Sequence, residues 1–138
     1  MDLLPHSLPM ACSTIDKAIY AKIKKFIFMK ILKFGGSSVA NQENIRKVFQ
    51  IIKKQAKKDE IAVVFSALGG VTEVLLRSAV KAREGDKSYT DEIKVLEDRH
   101  YDLVRQLIPI QQQSTVLTYV KVRFNELEDL FHGIYLIK

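Results

Sequence analysis

The apolar positions from residue 30 onward form two short continuous runs and several longer helical stripes. The runs KILKF at residues 30–34 and IAVVF at residues 61–65 have the length and apolar content of strands. Because both are apolar almost throughout, they predict strands of a parallel sheet that are buried on both faces. Residues 42–58, between them, predict a helix whose buried face has i, i+3, i+4, i+7 spacing and carries Ile45, Val48, Phe49 and Ile52.

Three further helices are predicted after the second strand. Residues 71–83 carry one apolar stripe and end before Gly85, and residues 89–107 carry another and end before Pro109. Residues 111–136 should fold back on the preceding helix as a hairpin. We expect their apolar stripe to stay exposed, since two strands offer little surface to cover it; that stripe includes Val120, Phe124, Leu127 and Phe131.

The order strand, helix, strand predicts a right-handed parallel β-α-β unit. Both strands then end at the same edge of the sheet. The first glycine loop (residues 35–38) and the second glycine loop (residues 66–72) should therefore lie side by side, where open α/β sheets bind ligands. The predicted fold class is α/β, with an incomplete sheet and a helical hairpin after the β-α-β unit.

The first glycine loop has the composition of a phosphate cradle. Gly35 and Gly36 let backbone N–H groups approach an anion closely, and Ser37 and Ser38 add hydroxyl groups. Lys33 can bring a mobile positive charge to a phosphoryl group. The alternatives are a tight strand-to-helix connection without a ligand and an ordinary cation at a strand end. Neither the P-loop pattern nor the dinucleotide-binding pattern occurs in the sequence.

Two stretches carry a family resemblance. KFGGSSV at residues 33–39 and VVFSALGGVT at residues 63–72 resemble the two loop motifs of aspartate kinases, in the amino-acid kinase superfamily. The family usually has Thr where this chain has Ser37. The tail FHGIYLIK at residues 131–138 is similar to a helix of the bifunctional aspartate kinase/homoserine dehydrogenases. The resemblance covers residues 29–138 and leaves residues 1–28 as an unmatched extension.

The resemblance implies the N-terminal part of an amino-acid kinase fold. It also implies an enzyme that uses ATP with Mg²⁺ to phosphorylate the side-chain carboxylate of L-aspartate. Lys33 would be catalytic, and Ser66 and Thr72 would bind aspartate. In the alternative structural roles, Ser66 would be a helix N-cap and Thr72 a first-turn residue. ATP phosphates would be held by Lys33, Gly35, Gly36, Ser37 and Ser38.

The family's kinase domain is considerably longer than this chain, so we expect an N-terminal fragment that is inactive by itself. Whole family members are expected to be cytoplasmic homo-oligomers. Two alternatives remain: a non-enzymatic interaction module derived from a kinase, or another member of the superfamily. The combination of Phe34 with Ser38 and Val39 disfavours the second. Residues 15–28 would form a basic amphipathic helix; the favoured alternative is that residues 1–28 as a whole are translated upstream sequence.

Composition and charge argue against several classes of function. The chain has 138 residues, a hydrophobic share of 47% and a formal net charge of +6. The lysines and arginines are spread over helix ends and do not alternate with stacking aromatic residues, so we expect no nucleic-acid partner. No apolar run is long enough to span a membrane. Cys12 is the one cysteine and the three histidines are scattered, which indicates a reducing compartment and no metal site.

Overall fold

The computed structural model describes Ile19 and residues 29–137 of the chain. The predicted extension at residues 1–28 thus lies almost wholly outside the described residues. A short 3₁₀ helix, Gly36–Val39, follows the first strand. The other elements, in chain order, are β1 (Lys30–Phe34), α1 (Gln42–Ala56), β2 (Ile61–Phe65), α2 (Val71–Glu84), α3 (Tyr89–Leu107) and α4 (Ile110–Leu136).

The two strands form a parallel pair joined by α1, which confirms the predicted α/β class and the incomplete sheet. Lys30 lies opposite Ile61 and Phe34 lies opposite Phe65. The helix α1 begins after Asn41, whose side-chain oxygen accepts a hydrogen bond from the Asn44 backbone N–H at 2.9 Å. This N-cap fixes the direction in which the chain leaves the first glycine loop.

The prediction that both faces of the sheet are buried is wrong for the residues that the structure describes. The side chains of Ile31, Val64 and Phe65 are 72%, 47% and 51% exposed. The apolar side chains of these strands favour burial on both faces of the sheet. Among the described residues, however, α1 is the main helix that covers the sheet, and it covers one face. Phe49, predicted on the buried face of α1, is also exposed, while Val48 on the same face is buried.

The main hydrophobic core lies in the three helices after the sheet. Phe124 and Phe131 of α4 are buried against α2 and α3, and Tyr89 meets Phe131 edge to face at 6.1 Å between ring centroids. Ile93 is fully buried at the centre of this cluster. The predicted hairpin of α3 and α4 is confirmed. The expectation that the α4 stripe stays exposed is wrong for Phe124 and Phe131, while Val120 and Leu127 are partly buried against the same cluster. Three helices can bury their stripes against one another without a sheet.

Two carboxylates, one buried and one partly buried, join these helices. Glu97 of α3 is 1% exposed and accepts hydrogen bonds from Lys94, Tyr101 and, across the interface with α4, Lys121, each at 2.8 Å. Burial opposes ionisation of this carboxyl, but the three donors outweigh it and hold its pKa at about 2. The carboxylate therefore stays charged at neutral pH.

Glu92 of α3 forms the second such site, facing α2. Its oxygens accept hydrogen bonds from Lys81 at 2.9 Å, Arg77 at 2.8 Å and the Ser78 hydroxyl at 2.8 Å. The Lys81 hydrogen bond is the main reason that the pKa of Glu92 falls to about 2, with Arg77 and Ser78 acting in the same direction against burial. Ion pairs thus fix α3 relative to both neighbouring helices.

Candidate functional site

The two glycine loops leave the sheet at the same edge, as predicted. The pairing of β1 with β2 continues one residue past the strands, since the Ser66 N–H donates to the Phe34 carbonyl at 3.0 Å. Beyond this hydrogen bond, β1 continues into the first glycine loop and β2 continues into the second. The parallel register therefore sets the loops next to each other before any side chain contributes.

Glycines allow the loops to touch backbone to backbone. A Cβ added to Gly36 would lie 3.2 Å from the Ala67 carbonyl oxygen and 3.3 Å from the Gly69 Cα. A Cβ added to Gly69 would lie 3.0 Å from the Gly36 oxygen. Gly70 adopts a φ of 84°, a conformation that favours glycine, and starts α2. Larger residues at Gly36 or Gly69 would push the loops apart.

Several N–H groups at this edge make no hydrogen bond within the part of the chain that the structure describes. They belong to Gly36 and Ser37, which open the 3₁₀ helix, and to Thr72 and Glu73, in the first turn of α2. Such N–H groups carry partial positive charge at the start of a helix and favour anions. The edge thus presents N–H groups from two adjacent helix starts.

The structure places the predicted side chains at this edge, but not all on one side. Ser37 and Ser38 line a shallow cavity of about 300 Å³ together with Phe34 and Val48. Lys33 precedes Phe34 in β1, so its exposed side chain points to the opposite, open face of the sheet. Lys33 makes no ion pair within residues 29–137.

The structure excludes the alternative structural role predicted for Ser66 in the second glycine loop. Ser66 is exposed and cannot be the N-cap of α2, because Gly70 occupies that position. Thr72 is exposed in the first turn of α2, the location of its structural alternative, and this location is compatible with ligand contact as well. The loops are brought together by their backbones, while Ser66 and Thr72 point into solvent.

Sequence reasoning missed three residues around the first loop. The Asn44 side-chain amide donates to the Ser37 carbonyl at 2.9 Å. Lys47 lines the same cavity as Ser37 and pairs with Glu43 at 2.6 Å. The helical periodicity of α1 could have indicated Asn44 and Lys47, since they follow the Asn41 cap by three and six residues and therefore lie on the same side of the helix.

The third missed residue is Arg99, in the middle of α3. One of its terminal nitrogens donates to the Gly69 carbonyl at 2.8 Å and the other to the Ala40 carbonyl at 2.7 Å. One guanidinium group therefore connects the end of the first loop region to the second loop. No local pattern in the sequence signals this contact, because Arg99 lies 30 and 59 residues from its two partners.

Within the described part of the chain, no group of three or more His, Cys, Asp or Glu residues is arranged to hold a metal ion. The same part contains no helix with the length and apolar character needed to cross a lipid bilayer.

Comparison with known proteins identifies the family to which this sequence is similar. The model of the Amino acid kinase family matches residues 29–122, which include both glycine loops and Arg99. This chain belongs to the amino acid kinase family. The resemblance drawn from the two loop motifs is thereby confirmed.

Relatives of this chain include aspartokinases and bifunctional aspartokinase/homoserine dehydrogenases. A bifunctional aspartokinase/homoserine dehydrogenase of Buchnera aphidicola is 32% identical over 113 residues, which cover 80% of this chain and 14% of that protein. The chloroplastic aspartokinase 1 of Arabidopsis thaliana is 32% identical over 111 residues, covering 78% and 18%. An aspartokinase of Rickettsia prowazekii is 53% identical over 47 residues, covering 33% and 10%. This chain thus spans less than a fifth of the length of these relatives.

Proposed function

We propose that residues 29–137 form the phosphate-binding part of an aspartate kinase, which transfers the γ-phosphoryl group of ATP to the side-chain carboxylate of L-aspartate. The observation that carries the proposal is the meeting of two glycine loops at the carboxyl edge of parallel strands, with unpaired N–H groups on both. The aspartokinase names of the relatives support the same reaction.

In this proposal the backbone supplies the phosphate cradle. The N–H groups of Gly36 and Ser37 would donate to phosphate oxygens of ATP, with the N–H groups at the start of α2 on the adjacent side. Gly36 and Gly69 would keep the two sets close, since neither has a Cβ to separate the loops. The hydroxyl groups of Ser37 and Ser38 would add two further polar contacts. Magnesium would arrive bound to the ATP phosphates, as is common in kinases.

The reaction joins two anions, so charge neutralisation and positioning should account for most of the rate. A carboxylate oxygen of aspartate attacks the γ-phosphorus, and the bond between that phosphorus and the ADP oxygen breaks, which gives an acyl phosphate and ADP. Lys33 would neutralise charge on the transferring phosphoryl group from the open face of the sheet. Ser66 and Thr72, both exposed in the second glycine loop, would contact the aspartate.

The test is a chimaera in which residues 29–137 replace the matching segment of the Arabidopsis aspartokinase. The assay follows ADP formation and traps the acyl phosphate with hydroxylamine. Lys33→Ala should lower kcat by about 10²–10³-fold, the usual effect of removing one preorganised charge stabiliser. The loss should fall on kcat more than on KM, because the charge develops in the transition state.

Lys30→Ala is the matched control. Lys30 lies on β1 at the opposite end of the strand, where it pairs with Asp59 at 2.6 Å. This variant should keep kcat within about twofold, since exposed ion pairs contribute little. Equal activities for the Lys33 and Lys30 variants would contradict a catalytic role for Lys33. A chimaera without activity, although folded, would favour the non-enzymatic alternative.

A further inference from the structure

Arg99 occupies the junction between the helical core and the two glycine loops. We infer that Arg99 is a positioning residue that sets the spacing of the loops and the direction of their N–H groups. The inference rests on the proposed phosphate-binding function and adds a residue that neither loop motif contains. Arg99 does not reach the loops' N–H groups itself; it acts through the carbonyl groups of Gly69 and Ala40.

The contact uses the particular geometry of a guanidinium group. Its two terminal nitrogens make bonds of 2.8 Å and 2.7 Å to carbonyls in different segments. Arginine holds its donors in a rigid plane, so fixing one bond also fixes the direction of the other. Within residues 29–137 every recorded hydrogen bond of Arg99 goes to a neutral carbonyl, and no carboxylate pairs with it. Arg99 therefore contacts the loops through neutral carbonyl groups.

The carbonyl bonds also orient the following N–H groups. The described part of the chain has only trans peptide bonds, in which the C=O and the next N–H point in opposite directions. When Arg99 holds the Gly69 carbonyl, the Gly70 N–H points away from the guanidinium. The Ala40 bond directs the Asn41 N–H in the same way. Neither N–H makes a hydrogen bond in the described residues, so both remain available at the loop surface.

The architecture makes this connection important. The main core lies within α2, α3, α4 and the adjoining Leu68, whereas the first glycine loop belongs to the thinly covered β-α-β unit. Besides Arg99, the bond from the Arg46 guanidinium to the Gln106 carbonyl at 2.9 Å ties this unit to α3. Arg46 joins α1 to the end of α3, whereas among the described residues only Arg99 bonds to both loop regions. Arg99 thus transmits the rigid position of α3 to the loops.

The first measurement is amide hydrogen exchange on the 138-residue chain without nucleotide. Arg99→Met keeps an apolar stem but removes both bonds, so the hydrogen-bonded amides of the two loops, at Ser38, Ser66 and Val71, should exchange at least about tenfold faster. Arg99→Lys should also exchange faster, because one ammonium cannot reproduce the planar fork. Core amides at Ile93 and Leu96 should stay within about twofold, which establishes that the variants remain folded.

The second measurement is binding of magnesium ATP to the same chain, followed by amide shifts in NMR. Arg99→Met should weaken binding by at least about tenfold, and Arg99→Lys, which keeps the charge, should not restore it. Arg105→Met is the matched control: Arg105 lies on the same helix, exposed, and pairs with Asp102 at 3.1 Å. This variant should match the unmodified chain in both measurements.

The two measurements separate the inference from the proposed function. Unchanged loop exchange in Arg99→Met would overturn the positioning role regardless of ATP binding. Faster exchange with unchanged ATP affinity would also overturn it, because the position of the loops would then have no effect on ATP binding. Full recovery of affinity in Arg99→Lys would assign the effect to charge alone and contradict positioning. If magnesium ATP shifts no amide of either loop in the unmodified chain, the proposed function is contradicted. Arg99 would then connect the two loops without a role in phosphate binding.

Discussion

Replacing Glu97 with glutamine tests whether a charged carboxylate really holds α3 against α4. Glu97→Gln keeps the size of the side chain and an acceptor for the Tyr101 hydroxyl. It removes the negative charge that Lys94 and Lys121 contact at 2.8 Å. Both lysines are about half exposed, at 58% and 47%, so water can solvate them after the change. The loss should therefore be smaller than for a fully buried pair.

The pKa of Glu97 gives the magnitude. It is about 2 in the folded protein, and an unfolded glutamate has a pKa of about 4.3. The difference corresponds to about 3 kcal/mol of stability at neutral pH, and the solvation of the lysines lowers the expected cost of Glu97→Gln to about 2 kcal/mol. Because the folded pKa is depressed, this stability is present above about pH 5 and disappears as the pH falls towards 2.

Urea unfolding followed by circular dichroism measures both effects. At pH 7 the glutamine variant should be less stable by about 2 kcal/mol, and near pH 2 the two proteins should converge. Glu126→Gln is the control, because Glu126 pairs with Arg123 on the exposed side of α4, and should cost less than about 0.5 kcal/mol. A difference for Glu97→Gln that is the same at pH 3 and pH 7 would refute the reasoning.

Three further predictions concern the loops, the extension and the isolated chain. Gly69→Ala should destabilise the protein by about 1–3 kcal/mol in urea unfolding, because its Cβ would meet the Gly36 oxygen at 3.0 Å. Gly133→Ala, in open space on α4, should instead stabilise it by about 0.5–1 kcal/mol, and equal effects would contradict the close packing. Removing residues 1–28 should change the free energy of unfolding by less than about 0.5 kcal/mol, since the core cluster lies within α2 to α4 and Leu68; a larger loss would show that the extension is packed. The 138-residue chain alone should give no aspartate-dependent ADP formation, because the shallow cavity at the first glycine loop is open to solvent and would not hold both substrates in line.

The parts of the fold that follow local rules could be predicted from the sequence. The Asn41 cap, the Gly85 helix end and the parallel placement of both loops depend on neighbouring residues or on the handedness of the β-α-β unit. Burial was harder to predict, because an apolar stripe does not reveal its partner. The stripe on α4 is covered by two helices, whereas Ile31 of β1 stays open.

The candidate site divides in the same way. The glycines and serines of the first loop form a recognisable local pattern. Arg99 and Glu97 do not, because a charged residue on a helix normally indicates a solvated face. Arg99 bonds to carbonyls 30 and 59 residues away, and Glu97, whose other partners lie within α3, is joined to Lys121, 24 residues away. Tertiary packing brings these partners together. Such contacts become visible only when the helices are placed.

The most direct test of the account is an NMR titration of the isotopically labelled 138-residue chain with magnesium ATP. Phosphate binding at the carboxyl edge of the sheet predicts that the largest amide shifts fall on Gly36, Ser37 and Gly70, with Thr72 next. Inorganic triphosphate should shift the same amides, because the backbone N–H groups recognise phosphate and not the base. Shifts concentrated elsewhere, or no saturable shift at either glycine loop, would contradict the central claim.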